Sequence, residues 1–581
     1  MHLATTALQG FWDKRQKILF LGSGCLLYRD RMAWSGLDFE ILPTPWLNHA
    51  RFLSACEEVG KDYDEILALL SSMLNEIHAV DRPQSYWNII LGPWLYHLIH
   101  IYYDHYVWLK DADAAGTQST WLPKSVQSAP PMDYGQFTQW SSTDSWNLRV
   151  YTHLLRNMKC GIHCEERDTA LPEFPDILTP EPNNAGLSKH HRLRQYLRRC
   201  LWGRNSVLLS DIIIRQSALR YLQIRSLLRV MPWVVSRQWH FEPARNPHED
   251  RQRLATLDVD TEFQGLLSGA LPHELPRLYL EDYHTAHAEI EGVAEPAAVL
   301  VSGSGWHAHE RLKFAAAEMR LRGTRLMSVQ HGGSYGVKAQ MPPETHERRL
   351  ADRFGVWGWA TKRDKRLVNL PRLDLPATPY KNSGESILLF VGTSHPRFIY
   401  RFQSSVLGPT WQQYYDWQQR FVEVLPKNLQ RSLLYRPYFR DFDWDQVARL
   451  EAIAPEIRVD TAEDIDSTLQ RARLVVIDHN ETTLLNCLAR NIPVVAYFDS
   501  RPANIRDSAS HYFDMLRQAR ILFDGPEAAA EQVADVWDDP VAWWQQQAVQ
   551  DIRCDFCKQH SFTNKRWYRL WRQFFLDLNE A

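Results

Sequence analysis

Residues 475–489 read VVIDHNETTLLNCLA and join an apolar run directly to an amphipathic segment. The run Leu474–Ile477 predicts a buried strand, and the spacing of apolar residues from Thr482 to Ala489 predicts a helix. A strand that passes small polar residues straight to a helix start is typical of parallel α/β domains. The free backbone N–H groups at such a helix start bind phosphate, so we expect an anion-binding turn here.

Five polar residues of this turn are candidate nucleotide ligands: Asp478, Asn480, Glu481, Thr482 and Thr483. The two threonine hydroxyls can donate to phosphate, and the glutamate can accept from a ribose hydroxyl. The alternative is a capped helix without a ligand, in which Asn480 or Thr482 is the cap.

The same pattern of strand, polar turn and helix recurs around this turn in the second half of the chain. The strand predicted at 387–391 is followed by the turn 392–397, in which Ser394 and His395 are candidate ligands. The strand predicted at 432–435 ends at Arg436, whose guanidinium suits bidentate phosphate binding. Parallel strands end at one edge of a sheet, so these residues are expected near the 478–483 turn.

The first half of the chain shows the same alternation of strands and helices. Apolar runs predict strands at 18–21, 206–209, 298–301, 325–329 and 354–357. Helical periodicity extends from about Trp46 to Leu109 and returns at 309–321, whereas 111–145 and 166–188 are interpreted as long loops. We therefore predict a parallel α/β domain with a helical insertion.

A polar, proline-rich segment from Lys365 to Glu385 is interpreted as the linker between the two halves. It divides the chain into an N-terminal domain, 1–375, and a C-terminal domain, 386–581. Two open parallel sheets whose strand ends face each other create a cleft, where a donor and an acceptor can meet.

A second motif, SVQHGGSYG at 328–336, follows one of the buried strands. Glycines let the backbone approach a ligand closely, so Gln330, Gly332 and Gly333 are candidate substrate contacts. His331 stands at the carboxyl end of the strand, where an imidazole can give or take a proton near neutral pH. The alternative is a glycine-rich turn whose histidine is satisfied within the protein.

Carboxylates are the other candidates for chemistry, because transferases use them as bases or nucleophiles. Glu281 and Asp282 are the preferred pair, and Glu344 and Glu347 are further candidates. Each could equally be an ordinary surface carboxylate.

Composition excludes several classes of function. The chain has 581 residues, 45% hydrophobic and 23% charged, with a formal net charge of −3, so no overall basic field indicates a nucleic-acid partner. Two cysteine pairs, Cys160/Cys164 and Cys554/Cys557, have a spacing that zinc ligands can show, but they lie far apart in the chain, so no metal is expected. The N-terminus lacks the pattern of a signal peptide, and a cytoplasmic location is expected.

One segment suggests contact with a membrane surface. Between Ser217 and Val235 three arginines, Arg220, Arg225 and Arg229, alternate with apolar residues. This is typical of a helix lying on a membrane, here the inner membrane. The alternative is a core helix whose arginines extend into solvent.

The chain resembles the transferases encoded in O-antigen and related surface-polysaccharide gene clusters of spirochaetes and other bacteria. The likeness covers nearly the whole chain. It departs at Ser23-Gly24, where a bulkier acidic-aromatic pair is expected, and at Glu481, where serine is more usual. It rests on Leu19-Phe20-Leu21-Gly22 with Cys25, Tyr86-Trp87, Leu91-Gly92-Pro93-Trp94, Trp146-Asn147, Gln330-His331-Gly332-Gly333 with Tyr335-Gly336, Trp357-Gly358-Trp359, and Asp478, Asn480, Thr482 and Thr483. More distantly the chain is similar to GT-B enzymes that transfer ulosonic acids such as Kdo from CMP donors, and to CDP-glycerol glycerophosphotransferases.

The resemblance implies a GT-B fold in which the second domain holds the nucleotide and neither a metal nor another cofactor is needed. It implies transfer of a sugar, such as an ulosonic acid from a CMP donor, to a lipid-linked or oligosaccharide acceptor. The alternatives are a CDP-glycerol-type phosphotransferase on the same fold and a non-catalytic nucleotide-sugar-binding scaffold.

Overall fold

Three parallel β-sheets form the framework of the chain. The computed structural model describes residues 1–126, 129–175, 189–241, 249–375, 380–381, 385–405 and 410–576. The predicted linker and the loop 166–188 therefore lie partly outside the described residues. The domain boundaries at 375 and 386 stay a prediction.

The first sheet comes from the N-terminal residues and has the strand order β3-β2-β1-β4-β5, with parallel neighbours throughout. Its strands are β1 (His2–Ala4), β2 (Ile18–Phe20), β3 (Phe39–Ile41), β4 (Ser119–Pro123) and β5 (His163–Arg167).

The second sheet has the order β11-β10-β9-β8-β6-β7 and is also parallel. Its strands are β6 (Val207–Ser210), β7 (Val230–Pro232), β8 (Val299–Ser302), β9 (Arg325–Val329), β10 (Arg353–Val356) and β11 (Leu367–Asn369).

The third sheet has the order β14-β13-β12-β15-β16-β17, again parallel. Its strands are β12 (Leu388–Val391), β13 (Leu433–Arg436), β14 (Arg458–Val459), β15 (Leu474–Ile477), β16 (Val494–Tyr497) and β17 (Leu522–Phe523).

The helices of the first two sheets are mostly short, apart from two of about 30 residues. They are α1 (Arg31–Trp34), α2 (His49–His78), α3 (Gln84–Ala114), α4 (Tyr134–Trp140), α5 (Asp144–Asn157), α6 (Lys189–Leu201), α7 (Gln216–Arg225), α8 (Glu262–Glu274), α9 (Tyr283–Glu291), α10 (Gly305–Ala308), α11 (Glu310–Leu321) and α12 (Pro342–Leu350).

The helices that follow the strands of the third sheet continue to the C-terminal tail. They are α13 (Trp411–Val424), α14 (Lys427–Ser432), α15 (Gln446–Glu451), α16 (Ile465–Arg471), α17 (Thr482–Ala489), α18 (Ser500–Ala503), α19 (Asp507–Gln518), α20 (Pro526–Val536), α21 (Pro540–Trp544), α22 (Gln547–His560) and α23 (Trp567–Leu576).

Two long helices, α2 and α3, are the predicted helical insertion. Both lie in one core with strands of the first sheet and with residues of β8 and β9 in the second. Helix α3 is buried on nearly every side, which explains its uniform apolar sequence. Across the described ranges, every helix is either too short or too polar to span a bilayer.

The C-terminal tail crosses back to the first half of the chain. Trp571, Phe574 and Phe575 of α23 pack in one core with β6 and β8 of the second sheet. Where the tail crosses, Gly358 has a φ of +119° and no room for a Cβ, because the backbone carbonyls of Lys558 and Gln559 press against it. This contact explains the glycine of the Trp-Gly-Trp motif.

The predicted fold class is confirmed: two parallel α/β units, built on the second and third sheets, face each other in the GT-B manner, and a helical insertion precedes them. The first sheet was not predicted as a separate unit. Two local predictions were wrong: β4 and α4 occupy the supposed loop 111–145, and the arginine-bearing helix ends at Arg225. It ends there because Leu227 and Leu228 adopt positive φ before β7.

Candidate functional site

A cleft with a volume of about 910 Å³ opens between the carboxyl ends of the second and third sheets. Among the residues named from the sequence, it is lined by His331, Gly332, His395, Arg436, Glu481, Thr482 and Thr483. The structure therefore brings together the turns after β9, β12, β13 and β15, as expected for parallel strands.

Gln330 fixes the turn that carries His331. Its side-chain oxygen accepts from the backbone N–H of Trp357 (2.9 Å) and from the indole N–H of Trp359 (2.8 Å). Its amide nitrogen donates to the carbonyl of Gly332 (2.9 Å). Gln330 is thus buried behind the cleft wall, where it shapes the turn.

Glu347 on α12 is the centre of a buried polar cluster on the first wall of the cleft. Its Oε1 accepts from Nε2–H of His331 (3.0 Å), from Nε2–H of His307 (2.9 Å) and from the hydroxyl of Tyr335 (2.5 Å). Its Oε2 accepts from the hydroxyl of Ser328. Every oxygen of this fully buried carboxylate therefore has a donor.

These donors decide the charge of Glu347. Burial by itself raises the pKa of the carboxyl, but the charge of His331 and the hydrogen bonds from His307 and His331 outweigh it and lower the pKa to about 2. Glu347 is therefore ionised at neutral pH. Burial lowers the pKa of His307 against the opposing effect of Glu347.

The hydrogen bonds of His331 assign its two ring nitrogens. Nε2 lies 3.0 Å from Oε1 of the ionised Glu347 and 2.7 Å from the hydroxyl of Tyr335, which itself donates to Glu347. Both partners are therefore acceptors, and Nε2 carries the proton. Within the part of the chain that the structure describes, Nδ1 forms no hydrogen bond. Since 19% of the side chain is exposed on the cleft wall, Nδ1 is the nitrogen open to a ligand.

The same cluster could hold a metal ion. The ligand atoms of His307, His331 and Glu347 all lie within 4.8 Å of one another, and two imidazoles with one carboxylate are a ligand set that Zn²⁺ accepts. In the structure, the Nε2 atoms of both imidazoles are hydrogen-bonded directly to Glu347 instead.

The second wall is the start of α17. Thr482 and Thr483 line the cleft, and Oγ1 of Thr482 accepts from the backbone N–H of Gly333 (2.9 Å) on the opposite wall. Neither threonine nor Asn480 caps the helix with its side chain; Glu481 occupies the cap position and makes no side-chain cap bond.

Glu481 joins the two walls. Its carboxylate accepts from the Ser334 hydroxyl (2.6 Å) and pairs with Lys338 of the first half of the chain. Burial raises the pKa of Glu481, but Lys338 outweighs it and the pKa falls to about 2. Its carboxylate already has two protein donors, which leaves less room for the expected ribose contact.

The other named residues of the third sheet divide into lining and supporting groups. Arg436 lines the cleft and pairs with Asp460 (2.5 Å). His395 also lines the cleft, and because burial lowers its pKa to about 3, its imidazole is neutral at pH 7. Ser394 lies behind the wall against the hydroxyl of Tyr415 (3.1 Å). Asp478 and Asn480 are also buried, and the former accepts from Gln418 (2.6 Å).

Glu281 and Asp282 lie outside the lining of the cleft. Both oxygens of Glu281 accept from the buried guanidinium of Arg251, with Nη2 and Oε2 2.7 Å apart. Asp282 is buried just before α9. The structure does not bring this pair to His331; among the carboxylates named from the sequence, Glu347 is the one that contacts it.

Sequence reasoning missed several residues of the cleft, among them His307, Lys338 and Arg401. The glycine-containing turn 303–305 after β8 was a usable signal for His307, which follows it closely. Arg401 and Lys338 lie in irregular segments without a motif, so nothing in the sequence marked them.

A family model described as LIC12162 family transferase matches residues 1–575. A search of the curated proteins finds no sequence match.

Solved glycosyltransferase structures are similar to part of the chain. They include MurG from Acinetobacter baumannii (TM-score 0.30, 11% identity, 63% of this chain and 99% of that chain), the glycosyltransferase SnogD from Streptomyces nogalater (0.33, 12%, 64% and 99%) and trehalose-6-phosphate synthase OtsA (0.33, 11%, 65% and 99%). At these scores the likeness is weak, and the fold assignment rests on the sheets themselves.

The buried carboxylate yields a pH prediction. Glu347→Gln should reduce the free energy of unfolding at pH 7 by on the order of 3 kcal/mol and so lower the melting temperature. The folded protein lowers the pKa from its usual value near 4.5 to about 2, so this stabilisation is fully present above pH 4.5 and declines as the pH falls toward 2. The gap between wild type and variant, measured by thermal unfolding from pH 7 to pH 3, should narrow below pH 4.5. The exposed Glu57→Gln is the control, and a gap that stays constant with pH would contradict the assignment.

Proposed function

We propose that this chain, which belongs to the LIC12162 family of transferases, is a glycosyltransferase that uses a nucleotide-activated sugar. The observation that carries the proposal is the cleft itself. One wall presents a histidine held by a buried carboxylate, and the facing wall presents a helix start and arginines.

The second wall suits the leaving nucleotide. Helix α17 begins at the cleft, and a helix start offers N–H groups and the positive end of the helix dipole to an anion. Thr482 and Thr483 line the cleft there as hydroxyl donors. Arg436, although paired with Asp460, offers its remaining N–H donors at the end of β13. Together they would bind the donor phosphates and stabilise the charge that develops on them during transfer.

The first wall suits the acceptor. Nδ1 of His331 would take the proton of the acceptor hydroxyl while its oxygen forms a bond to the anomeric carbon. The bond from that carbon to the donor phosphate breaks, and its electron pair leaves with the nucleotide. Ionised Glu347 would stabilise the imidazolium that forms, because an opposite charge favours it.

For the finer identity of the substrates, the resemblance supports a CMP-activated ulosonic acid as donor and a lipid-linked or oligosaccharide acceptor in surface-polysaccharide synthesis. It also supports transfer without a metal or other cofactor, with the helix start and arginines in the electrostatic role.

A panel of CMP, CDP, UDP, GDP and dTDP tests the nucleotide site by thermal shift. A nucleotide that binds only the folded protein raises its melting temperature, and we expect one of the five to do so. The double change Thr482→Ala/Thr483→Ala should abolish that shift. The control Ser508→Ala/Ser510→Ala removes two hydroxyls from the exposed first turn of α19 and should keep it. If no nucleotide shifts the wild type, the proposal is wrong.

The role of His331 is tested with the donor that the panel identifies. His331→Ala should slow nucleotide release from the nucleotide-sugar by about 10²–10⁴-fold, because general-base catalysis is lost. Its donor affinity should remain within about twofold, because the nucleotide lies on the other wall. The exposed His511→Ala is the matched control. Turnover that is unchanged in His331→Ala would remove this histidine from the mechanism.

We also propose that the chain contacts the inner membrane at its cytoplasmic face through α6 and α7. Both helices expose large apolar side chains, including Tyr196 and Leu201 on α6 and Ile224 on α7. Exposed arginines, Arg220 and Arg225 among them, lie on α7 as well. Apolar side chains flanked by basic ones match an anionic lipid surface.

Flotation with vesicles tests this surface. Wild type should float with phosphatidylglycerol-containing vesicles and less with neutral phosphatidylcholine vesicles. Leu201→Ser/Ile224→Ser should reduce flotation severalfold, because less apolar area enters the interface. Met32→Ser, at an exposed methionine elsewhere, is the control. Absence of flotation by the wild type would exclude the contact.

A further inference from the structure

Arg401 differs from the other cations of the cleft. Lys338 and Arg436 also line the cleft, and each is paired with a carboxylate, Glu481 and Asp460 respectively. Among the residues that the structure describes, Arg401 forms no ion pair with an aspartate or a glutamate. The ionisable groups that act most strongly on its guanidinium are four tyrosines, Tyr96, Tyr134, Tyr335 and Tyr400.

The side chain of Arg401 is nevertheless held in place. Its Nε donates to the side-chain oxygen of Gln403 (2.7 Å), and its guanidinium lies 4.8 Å from the centre of the Tyr400 ring. The guanidinium also donates a hydrogen bond to the hydroxyl of Tyr96, so these contacts use two donors and one face of the group. The remaining N–H donors are on the two terminal nitrogens, which suit a bidentate oxyanion.

The guanidinium also stands between the two walls. It lines the cleft together with His307 of the first wall and His395 of the second. It is therefore close both to the cluster around Glu347 and to the loop after β12.

A partly buried cation without a counter-charge costs free energy, and a ligand that supplies the charge recovers it. We propose that Arg401 is an oxyanion-binding subsite, separate from the start of α17, which takes an anionic group of the substrate beside the His307–His331–Glu347 cluster. The class of substrate in this inference rests on the proposed function, whereas the binding of an anion at Arg401 does not.

Two sources could supply the oxyanion: a carboxylate on the transferred sugar, or a phosphate of the donor. The carboxylate fits better, because phosphates already have the N–H groups of α17 and Arg436. Removing a charge-assisted bidentate contact weakens binding by about tenfold or more.

Titration calorimetry with matched donors tests the subsite. The probes are UDP, UDP-glucose, UDP-glucuronic acid, CMP and CMP-N-acetylneuraminic acid. Arg401→Gln should weaken the acidic-sugar donors about tenfold or more and change UDP, UDP-glucose and CMP by less than twofold. Arg401→Lys keeps the positive charge but loses the paired N–H donors of the guanidinium, so its affinity for the acidic-sugar donors should lie between those of Arg401→Gln and wild type. Arg420→Gln, at an exposed arginine outside the cleft lining, is the control.

Each other outcome is equally decisive. Equal tenfold losses for all five probes would support the subsite with phosphate as its ligand. Unchanged affinity for every probe would overturn it. If the wild type binds none of the nucleotides, the proposed function fails, and the subsite is then tested with inorganic phosphate and free glucuronic acid. A thermal shift by either anion that Arg401→Gln abolishes would support it, and no such shift would overturn it.

Discussion

The contact between Gly333 and the start of α17 is the constraint on which the cleft depends. A Cβ at position 333 would lie 2.7 Å from the carbonyl carbon of Glu481 and from the nitrogen of Thr482, so the two backbones meet without a side chain between them. The N–H of Gly333 donates to Thr482, and Lys338 pairs with Glu481 beside it. The loop that carries His331 is therefore fixed directly against the helix start on the opposite wall. Movement of one wall must break these contacts.

This arrangement explains why the helix start carries a glutamate where serine is more usual. The negative charge of Glu481 is favourable at the N-terminus of a helix, but it would repel a bound phosphate. Lys338 neutralises it and at the same time anchors the 331–338 loop. Anion binding in the cleft then falls to the N–H groups of α17 and to the arginines, of which Arg436 is already paired.

The strands that could be predicted from sequence are those buried on both faces, because they are continuous apolar runs. Every residue of β15 is buried, and its polar continuation was located correctly. In the first sheet, β5 reads HCEER and is largely exposed, so neither alternation nor hydrophobicity marks it. Residues at strand ends could be predicted for the cleft because parallel topology places them together. Arg401 reaches the cleft from a loop, and Glu347 lies on a helix behind the cleft wall. Only tertiary packing decides that Glu347 meets His331 while Glu281 meets Arg251.

The same packing bears on which group can act as a base. A carboxylate with a pKa of about 2 is ionised at neutral pH but has little affinity for a proton, so Glu347 is poorly suited to take one from a hydroxyl. Glu281 is equally unsuited, because both its oxygens are held by Arg251 away from the cleft. His331 has one nitrogen held by Glu347 and one open to the cleft, which combines a fixed orientation with a free lone pair. The acidic residue that the cleft needs is therefore the partner of the base, and the base itself is the imidazole.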